Sequence, residues 1–204
     1  TCSAADEILG VTAANVEISN IHFIAVTAQA CVEFGNAADN LYIHDCTVDM
    51  FTAAASTSTA GFVSIGTAGG VKNLFIEDVY MESLDAQGPY LDLNDVSYGI
   101  IRNSTFRHTG STVLADGIVS ATGAVDIFME NVNLISGTGA VMRDAIDWTG
   151  NTIDCSLQLK NVYVSLGCDI AASSAAAIWT TVTRVRSVVA DGATSSNLVF
   201  NALA

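Results

Sequence analysis

The chain has 204 residues, half of them hydrophobic, and its longest apolar runs are broken by polar residues well short of a membrane span. Twenty-one acidic and seven basic side chains give a net charge of −14, which argues against nucleic acid and anionic membranes as partners, since phosphate binding needs clustered Lys and Arg. The length fits one well-buried domain, and a single proline with sixteen glycines is typical of short strands joined by tight turns.

Residues 1–14 precede the repeated part of the chain and are predicted to form an N-terminal cap segment. Ser3 and Asp6 have the spacing of a capping box, so a short helical turn is expected to lead into residues 7–9. The sequence begins at Thr1 rather than at a methionine, so a processed or partial product is expected.

A nine-residue pattern recurs along residues 15–204, which are predicted to form one domain. In the copy at residues 73–81, Leu74 and Ile76 alternate with polar or outward residues up to Asp78, and a second short alternating strand comes after it. The residues at the corner between the two strands are Asn20, Asp45, Asp78, Asn103, Asn131, Asn161 and Ser187. Their separations of 25 to 33 residues indicate stacked supersecondary units.

A third strand is predicted in each unit after a variable loop. The third strands cover residues 31–34, 62–65, 90–93, 117–120, 145–148, 176–179 and 197–200. The Asn-Gly hairpin turns that a sandwich would require are missing. The sequence therefore predicts an all-β fold, a single-stranded right-handed parallel β-helix solenoid of about seven rungs with three short strands per rung.

In its period and its Asn/Asp corners, the sequence resembles the right-handed parallel β-helix superfamily, the pectate-lyase-like proteins. This superfamily includes pectate lyases, polygalacturonases and phage tailspikes, and the resemblance covers about residues 15–201. In character the chain is closest to β-helix proteins of phage virions and tailspikes. The resemblance to phage β-helix proteins implies that the chain forms a homotrimer.

The corners also predict two ladders along the solenoid. Asn and Asp tolerate the left-handed backbone of a sharp bend, and side chains stacked about 4.8 Å apart can hydrogen-bond to one another. The position before the corner alternates in charge from Glu77 through Arg102 and Glu130 to Lys160. Opposite charges on adjacent strands are expected to fix the strand register rather than to catalyse a reaction.

Three acidic residues are the candidates for a catalytic role. The outward position of the third strand is predicted to carry Glu33, Ser64, Asp92, Val119, Asp147 and Ala177. Glu33, Asp92 and Asp147 are two rungs apart from one to the next, about 9.6 Å, which is the wide limit for an inverting glycosidase. The Asn-Thr-Asp, Asp-Asp and His-Gly motifs of polygalacturonases do not occur in the expected relation, nor do the calcium-binding acids and catalytic Arg of pectate lyases. A non-enzymatic role is favoured.

Neither a metal nor a cofactor is expected. His22, His44 and His108 fall on different units and different positions of the unit. The five cysteines (Cys2, Cys31, Cys46, Cys155 and Cys168) include no CxxC pair, so free thiols are favoured, with a Cys155–Cys168 bridge left open.

The outward positions of the first strand predict an interface. They read Glu17, Tyr42, Phe75, Ile100, Phe128, Gln158 and Arg184, so the four from Tyr42 to Phe128 form an apolar stripe. Tyr80 and Tyr163 add to it from the neighbouring outward column after the corner. Either a loop or the N-terminal segment covers this stripe, or it is a subunit interface; the interface is favoured because contiguous exposed apolar patches are uncommon.

These patterns are compatible with two classes of function. The first is a non-enzymatic structural protein of a virus particle, a bacteriophage capsid decoration, knob or spike subunit. It would assemble in the host cytoplasm, lie on the particle surface, and contact other shell or tail proteins as a homotrimer. The alternative is a carbohydrate-binding or carbohydrate-degrading β-helix of the tailspike, polysaccharide lyase or glycosidase type, whose partner would be a cell-surface glycan.

Overall fold

A computed structural model gives the fold. It describes residues 8–25, 30–35, 38–50, 62–65, 70–83, 89–109, 114–119, 124, 126–136, 142–148, 155–165, 169–172, 176–181 and 198–201. Every regular element within these residues is a β-strand.

Nineteen strands are described, most of them only two to six residues long. They are β1 Leu9–Val11, β2 Val16–Ser19, β3 His22–Ala25, β4 Val32–Phe34, β5 Leu41–Met50, β6 Val63–Ile65, β7 Leu74–Ser83, β8 Leu91–Asp92, β9 Tyr98–Arg102, β10 Thr105–His108, β11 Leu114–Val119, β12 Asp126–Glu130, β13 Asn133–Ser136, β14 Met142–Trp148, β15 Cys155–Lys160, β16 Tyr163–Val164, β17 Asp169–Ala172, β18 Ala176–Thr181 and β19 Leu198–Asn201.

The strands form two parallel sheets between which the chain passes back and forth. One sheet has the order β1-β4-β6-β8-β11-β14-β17. The other contains the first and second strands of the predicted units, and β5 and β7 run through the corner as single ten-residue strands. Strands that pair with the strand one unit further along the chain make a parallel β-solenoid, so the all-β solenoid is confirmed. The hand of its winding stays a prediction.

The core lies between the sheets and consists of the inward residues of the alternating strands. Leu41 pairs with Leu74, and Ile43 with Ile76, so like residues stack on adjacent strands. All four are at most 1% exposed. Tyr90 and Phe106 stack across the interior with ring centroids 6.1 Å apart. Each buried aliphatic side chain contributes about 1.5–3 kcal/mol, and burial of the stack as a whole holds strands that would be unstable alone.

The N-terminal prediction is wrong in one respect. Residues 9–11 form a strand, β1, rather than the end of a helical turn, and β1 pairs with β4. The alternation of Leu9 and Val11 toward the interior fits a strand of the solenoid, and Val11 is buried. Ser3 and Asp6 lie outside the described residues.

The C-terminal strand assignment is also corrected. Residues 176–179 belong to β18, which pairs with the first strand β15, and residues 197–200 fall largely in β19, which pairs with β18. The third strand of that unit is β17 instead, and Ala171 takes the place beside Asp147 that was predicted for Ala177. First and third strands have the same alternation, so without a corner residue the pattern does not tell them apart. The predicted seven rungs of three strands are therefore not confirmed. Trp179, rather than the predicted Arg184, stands in register with Gln158, and Arg184 and Ser187 lie outside the described residues.

The six described corner residues share one backbone conformation. Asn20, Asp45, Asp78, Asn103, Asn131 and Asn161 all have φ between 51° and 57°. This left-handed region costs most side chains about 1–2 kcal/mol and costs Asn and Asp less. The side-chain ladder is present at three of them: Asn131 Nδ2 donates to Asn103 Oδ1 at 3.0 Å, and Asn161 Nδ2 donates to Asn131 Oδ1 at 2.7 Å.

A second row of Asn residues stands at the start of the first strands, where the sequence pattern does not predict a corner. Asn15 and Asn40 also have positive φ. Asn40 Nδ2 donates to Asn15 Oδ1 at 2.9 Å, and Asn73 Nδ2 donates to Asn40 Oδ1 at 2.6 Å. In β2, β5 and β7, the first-strand segment thus runs from an Asn before its start to the Asn or Asp at the corner.

At the corner we expect Ala to destabilise the fold more than Gly does, which is the reverse of their usual order. Asn131→Ala should unfold more easily than Asn131→Gly, by about 1 kcal/mol, because Ala resists positive φ while both variants lose the same side-chain hydrogen bonds. At Asn133, in strand β13, the order should reverse, because Gly in a strand costs backbone entropy. Urea unfolding followed by circular dichroism measures all four variants. The same order at both positions would contradict the role given to the corner.

Candidate functional site

The outward side chains of strands β5, β7 and β9 form a groove on the surface of the solenoid. Its volume is about 440 Å³. The residues that line it are Asn40, Leu41, Tyr42, Phe75, Ile76, Glu77, Ile100 and Arg102. Three of them belong to the apolar stripe predicted from the sequence, and two belong to the predicted column of alternating charge.

The floor of the groove is the apolar stripe itself. Tyr42 pairs in register with Phe75, Phe75 with Ile100, and Ile100 with Phe128. All four side chains are partly exposed. The rings of Tyr42 and Phe75 meet edge to face, with centroids 6.4 Å apart at 85°. The stripe residues therefore cover part of one another and still present apolar surface to solvent.

A further aromatic residue borders the stripe and was missed from the sequence. Tyr98 is 42% exposed, and its ring lies edge to face with Phe75 at 6.4 Å. It occupies the position that Asn15, Asn40 and Asn73 hold in earlier copies. The presence of Tyr in place of Asn at this position was the signal in the sequence that could have identified Tyr98.

One wall of the groove is a bidentate ion pair. Arg102 Nε lies 2.7 Å from Glu77 Oε1, and Arg102 Nη2 donates to Glu77 Oε2 at 2.8 Å. The Tyr42 hydroxyl donates to the same Oε2 at 2.7 Å. The hydrogen bonds from Arg102, and then from Tyr42, hold the pKa of the Glu77 carboxyl below its ordinary value. The bond to Glu77 in turn raises the pKa of Tyr42.

The charge column continues beyond the groove in the predicted order. Glu130 stands in register between Arg102 and Lys160, and Lys160 Nζ contacts Glu130 Oε1. Opposite charges therefore face each other on adjacent strands. Exposed pairs of this kind contribute up to about 1 kcal/mol each, and a shifted register would separate the paired charges.

His44 is held between two carboxylates at one end of the groove. Its Nε2 lies 2.9 Å from Glu17 Oε1, and its Nδ1 lies 2.7 Å from Asp45 Oδ2. The imidazole stacks on the ring of Tyr42, with centroids 4.2 Å apart at 24°. The hydrogen bond to Glu17, and then that to Asp45, raises the pKa of His44. His44 stands directly before the corner residue Asp45, as Glu77 stands before Asp78, but sequence reasoning did not find this arrangement.

Tyr80 and Tyr163 are not brought into the groove. They lie in one outward column after the corner, where Thr105 and Asn133 separate them. Tyr80 is 40% exposed, and its hydroxyl donates to Glu82 Oε2 at 2.9 Å. The corner residues separate this column from the apolar stripe, so the predicted interface is divided into two faces.

The three candidate catalytic carboxyls share the predicted column but are not adjacent. Glu33 pairs with Ser64, and Val119 pairs with both Asp92 and Asp147. Every carboxyl of the set is therefore separated from the next by an intervening strand. Asp92 is distinctive because burial raises its pKa to about 6, while its Oδ1 accepts the backbone N–H of Asn94 at 3.1 Å.

A separate acidic cluster joins Asp147 to Asp116 and Asp144. One carboxylate oxygen from each lies within 4.8 Å of the others, and oxygen donors of this kind suit hard divalent cations. Asp116 and Asp144 are in register, and an irregularity in β14 after Asp144 changes the spacing to Asp147. The sequence does not predict this contact, because a strict period of two would put Asp144 and Asp147 on opposite faces.

Two of the five cysteines have described side chains, and both are free thiols. Cys31 and Cys46 are buried, and burial raises the pKa of Cys31 to about 12. The predicted alternative, a Cys155–Cys168 bridge, stays a prediction because Cys168 lies outside the described residues.

No protein-family model matches this chain, and neither a curated protein nor a solved structure is significantly similar to it. The resemblance to the parallel β-helix superfamily therefore rests on the repeat pattern of the sequence and on the parallel β-solenoid, and a pectate-lyase-like or tailspike-like identity stays a prediction.

Among the residues that the structure describes, no helix is long and apolar enough to cross a membrane.

Proposed function

We propose that this protein is a non-enzymatic structural subunit that assembles with other subunits through the groove over Tyr42, Phe75 and Ile100. The observation that carries the proposal is the partly exposed stripe from Tyr42 to Phe128, which is continuous across strands β5, β7, β9 and β12. Aromatic and aliphatic side chains in a continuous patch, with charged side chains at the margin, are the usual composition of the centre of a protein interface.

The side chains of the groove are already held in place, which also supports a docking role. Tyr42 is held by its stack on His44 and its bond to Glu77, and Glu77 is held by Arg102. Side chains that are already fixed lose little rotamer freedom when a partner binds, so more of the burial free energy remains for affinity. A solenoid that fixes these side chains on backbone strands is a rigid support for the surface.

We propose a homotrimer as the assembly and a bacteriophage particle as its setting. The subunit would be a capsid decoration, knob or spike that contacts shell or tail proteins and lies on the particle surface. The support for this setting is the repeat pattern and corner residues that resemble phage β-helices, and the high content of small polar residues at a net charge of −14. The isolation of the subunit with purified particles is the direct check on this setting.

A charge placed in the floor of the groove should dissociate the assembly. Phe75→Glu and Phe128→Glu are expected to convert the oligomer to monomer with an unchanged β signal in circular dichroism, because the interface would have to bury an unpaired carboxylate. Thr47→Glu adds the same charge at an exposed position beyond the corner and should leave the oligomer intact. Light scattering gives the mass of each variant.

Either of two results would contradict this interface. The unmodified chain could be a monomer at the concentrations at which the proposed assembly is tested. Alternatively, the Phe75→Glu and Phe128→Glu variants could keep the same mass as Thr47→Glu.

A second candidate function is the binding or cleavage of a cell-surface glycan. The observation that favours it is Asp92, whose pKa of about 6 would leave much of the carboxyl protonated and able to act as an acid in mildly acidic solution. Turnover in a glycan-degradation screen that is abolished by Asp92→Asn and retained in Asp49→Asn would favour this candidate over the structural one. The expected result is that neither the unmodified chain nor a variant releases product.

A further inference from the structure

We propose that His44 is a pH-sensitive element that keeps the groove in its ordered form while the imidazole is protonated and loosens it when the proton is lost. This inference rests on the proposed function, because it concerns the regulation of the same docking surface.

The two contacts of the imidazole require two donors. Asp45 Oδ2 lies 2.7 Å from Nδ1, and Glu17 Oε1 lies 2.9 Å from Nε2. Ionised carboxylates only accept hydrogen bonds, and a neutral imidazole has one N–H and one lone pair. A neutral His44 would therefore point its lone pair at one of the two carboxylates, whereas the imidazolium satisfies both.

The groups that face His44 are mostly acidic. Strand β2 contributes Glu17 and, in register with His44, Ser19. The residue after His44 on its own strand is Asp45, and β7 places Glu77 in register with it. Arg102 on β9 neutralises Glu77 through the bidentate pair, so Glu17 and Asp45 are the carboxylates left for His44. The His44 side chain is 17% exposed, so solvent protons can reach it.

The ring of His44 connects this charge balance to the floor of the groove. Tyr42 lies flat against it, and an imidazolium binds an aromatic face more strongly than a neutral imidazole does. The Tyr42 hydroxyl also holds Glu77, so the position of the ring matters to the ion pair with Arg102. Loss of the His44 proton releases one carboxylate and weakens the stack, which is one of the two contacts that hold Tyr42.

The direction of the pH effect is set by the raised pKa of His44. A group with a higher pKa in the folded state adds stability that is complete below its ordinary value, about 6.5. That stability is lost as the pH rises through the folded value. The ordered groove is therefore complete below about pH 6.5, and it loosens as the pH rises through the higher folded-state pKa of His44.

The test is an NMR titration of the full chain with labelled His and Tyr rings. The His44 midpoint is expected above about 6.5, and the ring signals of Tyr42 are expected to shift with the same midpoint. Glu17→Gln and Asp45→Asn should each lower the midpoint, because each removes a carboxylate that is hydrogen-bonded to the imidazole. Asp49→Asn is the matched control: it removes a carboxylate that pairs with His22 and should leave His44 unchanged.

His44→Gln supplies a second variant that retains a hydrogen-bonding side chain and cannot titrate in this range. In it, the Tyr42 signals should no longer change between about pH 6 and 9. The proposal is overturned by a His44 midpoint at or below about 6.5, or by Tyr42 signals that titrate independently of His44. These readouts need no partner, so their failure is distinct from a failure of the chain to oligomerise.

Discussion

The left-handed corner is the constraint on which the rest of the molecule depends. A residue with φ between 51° and 57° lets the chain bend between two short strands without a loop, so the residues on either side keep a fixed offset in every unit. Residues at the same distance from their corner residue therefore pair with one another on adjacent strands. This pairing creates the buried stacks, the amide ladders, the charge column and the apolar stripe. The surface chemistry of this protein is thus a consequence of the backbone geometry at Asn20, Asp45, Asp78 and their equivalents.

Features that depend directly on that offset could mostly be predicted from the sequence. The pairing of Tyr42 with Phe75, and the facing charges of Glu77 and Arg102, could be predicted because each residue stands at a fixed distance from its own corner. The carboxyl column of the third strand lies beyond a variable loop, and it was predicted from the alternation of residues within that strand, up to the last unit. There the corner residue no longer marks the unit, and β18 was assigned to the wrong sheet.

The features that the sequence does not predict depend on diagonal contacts or on local irregularities. His44 reaches Glu17 two positions along the neighbouring strand, a contact that depends on side-chain length and rotamer rather than on register. The cluster of Asp144 and Asp147 with Asp116 depends on an irregularity in β14. The Asn15, Asn40 and Asn73 row is visible in the sequence as the first residue of each copy, but its role as a second ladder depends on side-chain geometry.

In-register parallel stacking is the central claim, and disulfide formation between paired strands tests it most directly. Thr105 and Asn133 face each other on β10 and β13, where Asn133 Nδ2 donates to Thr105 Oγ1 at 3.1 Å. Neighbouring strands are about 4.8 Å apart, within reach of a disulfide, whereas Ile135 is displaced by two residues and about 8 Å away. Thr105→Cys with Asn133→Cys should oxidise to a bridge detectable by mass spectrometry, and Thr105→Cys with Ile135→Cys should not. Equal yields from the two pairs, or a higher yield from the second, would contradict the register on which the whole account depends.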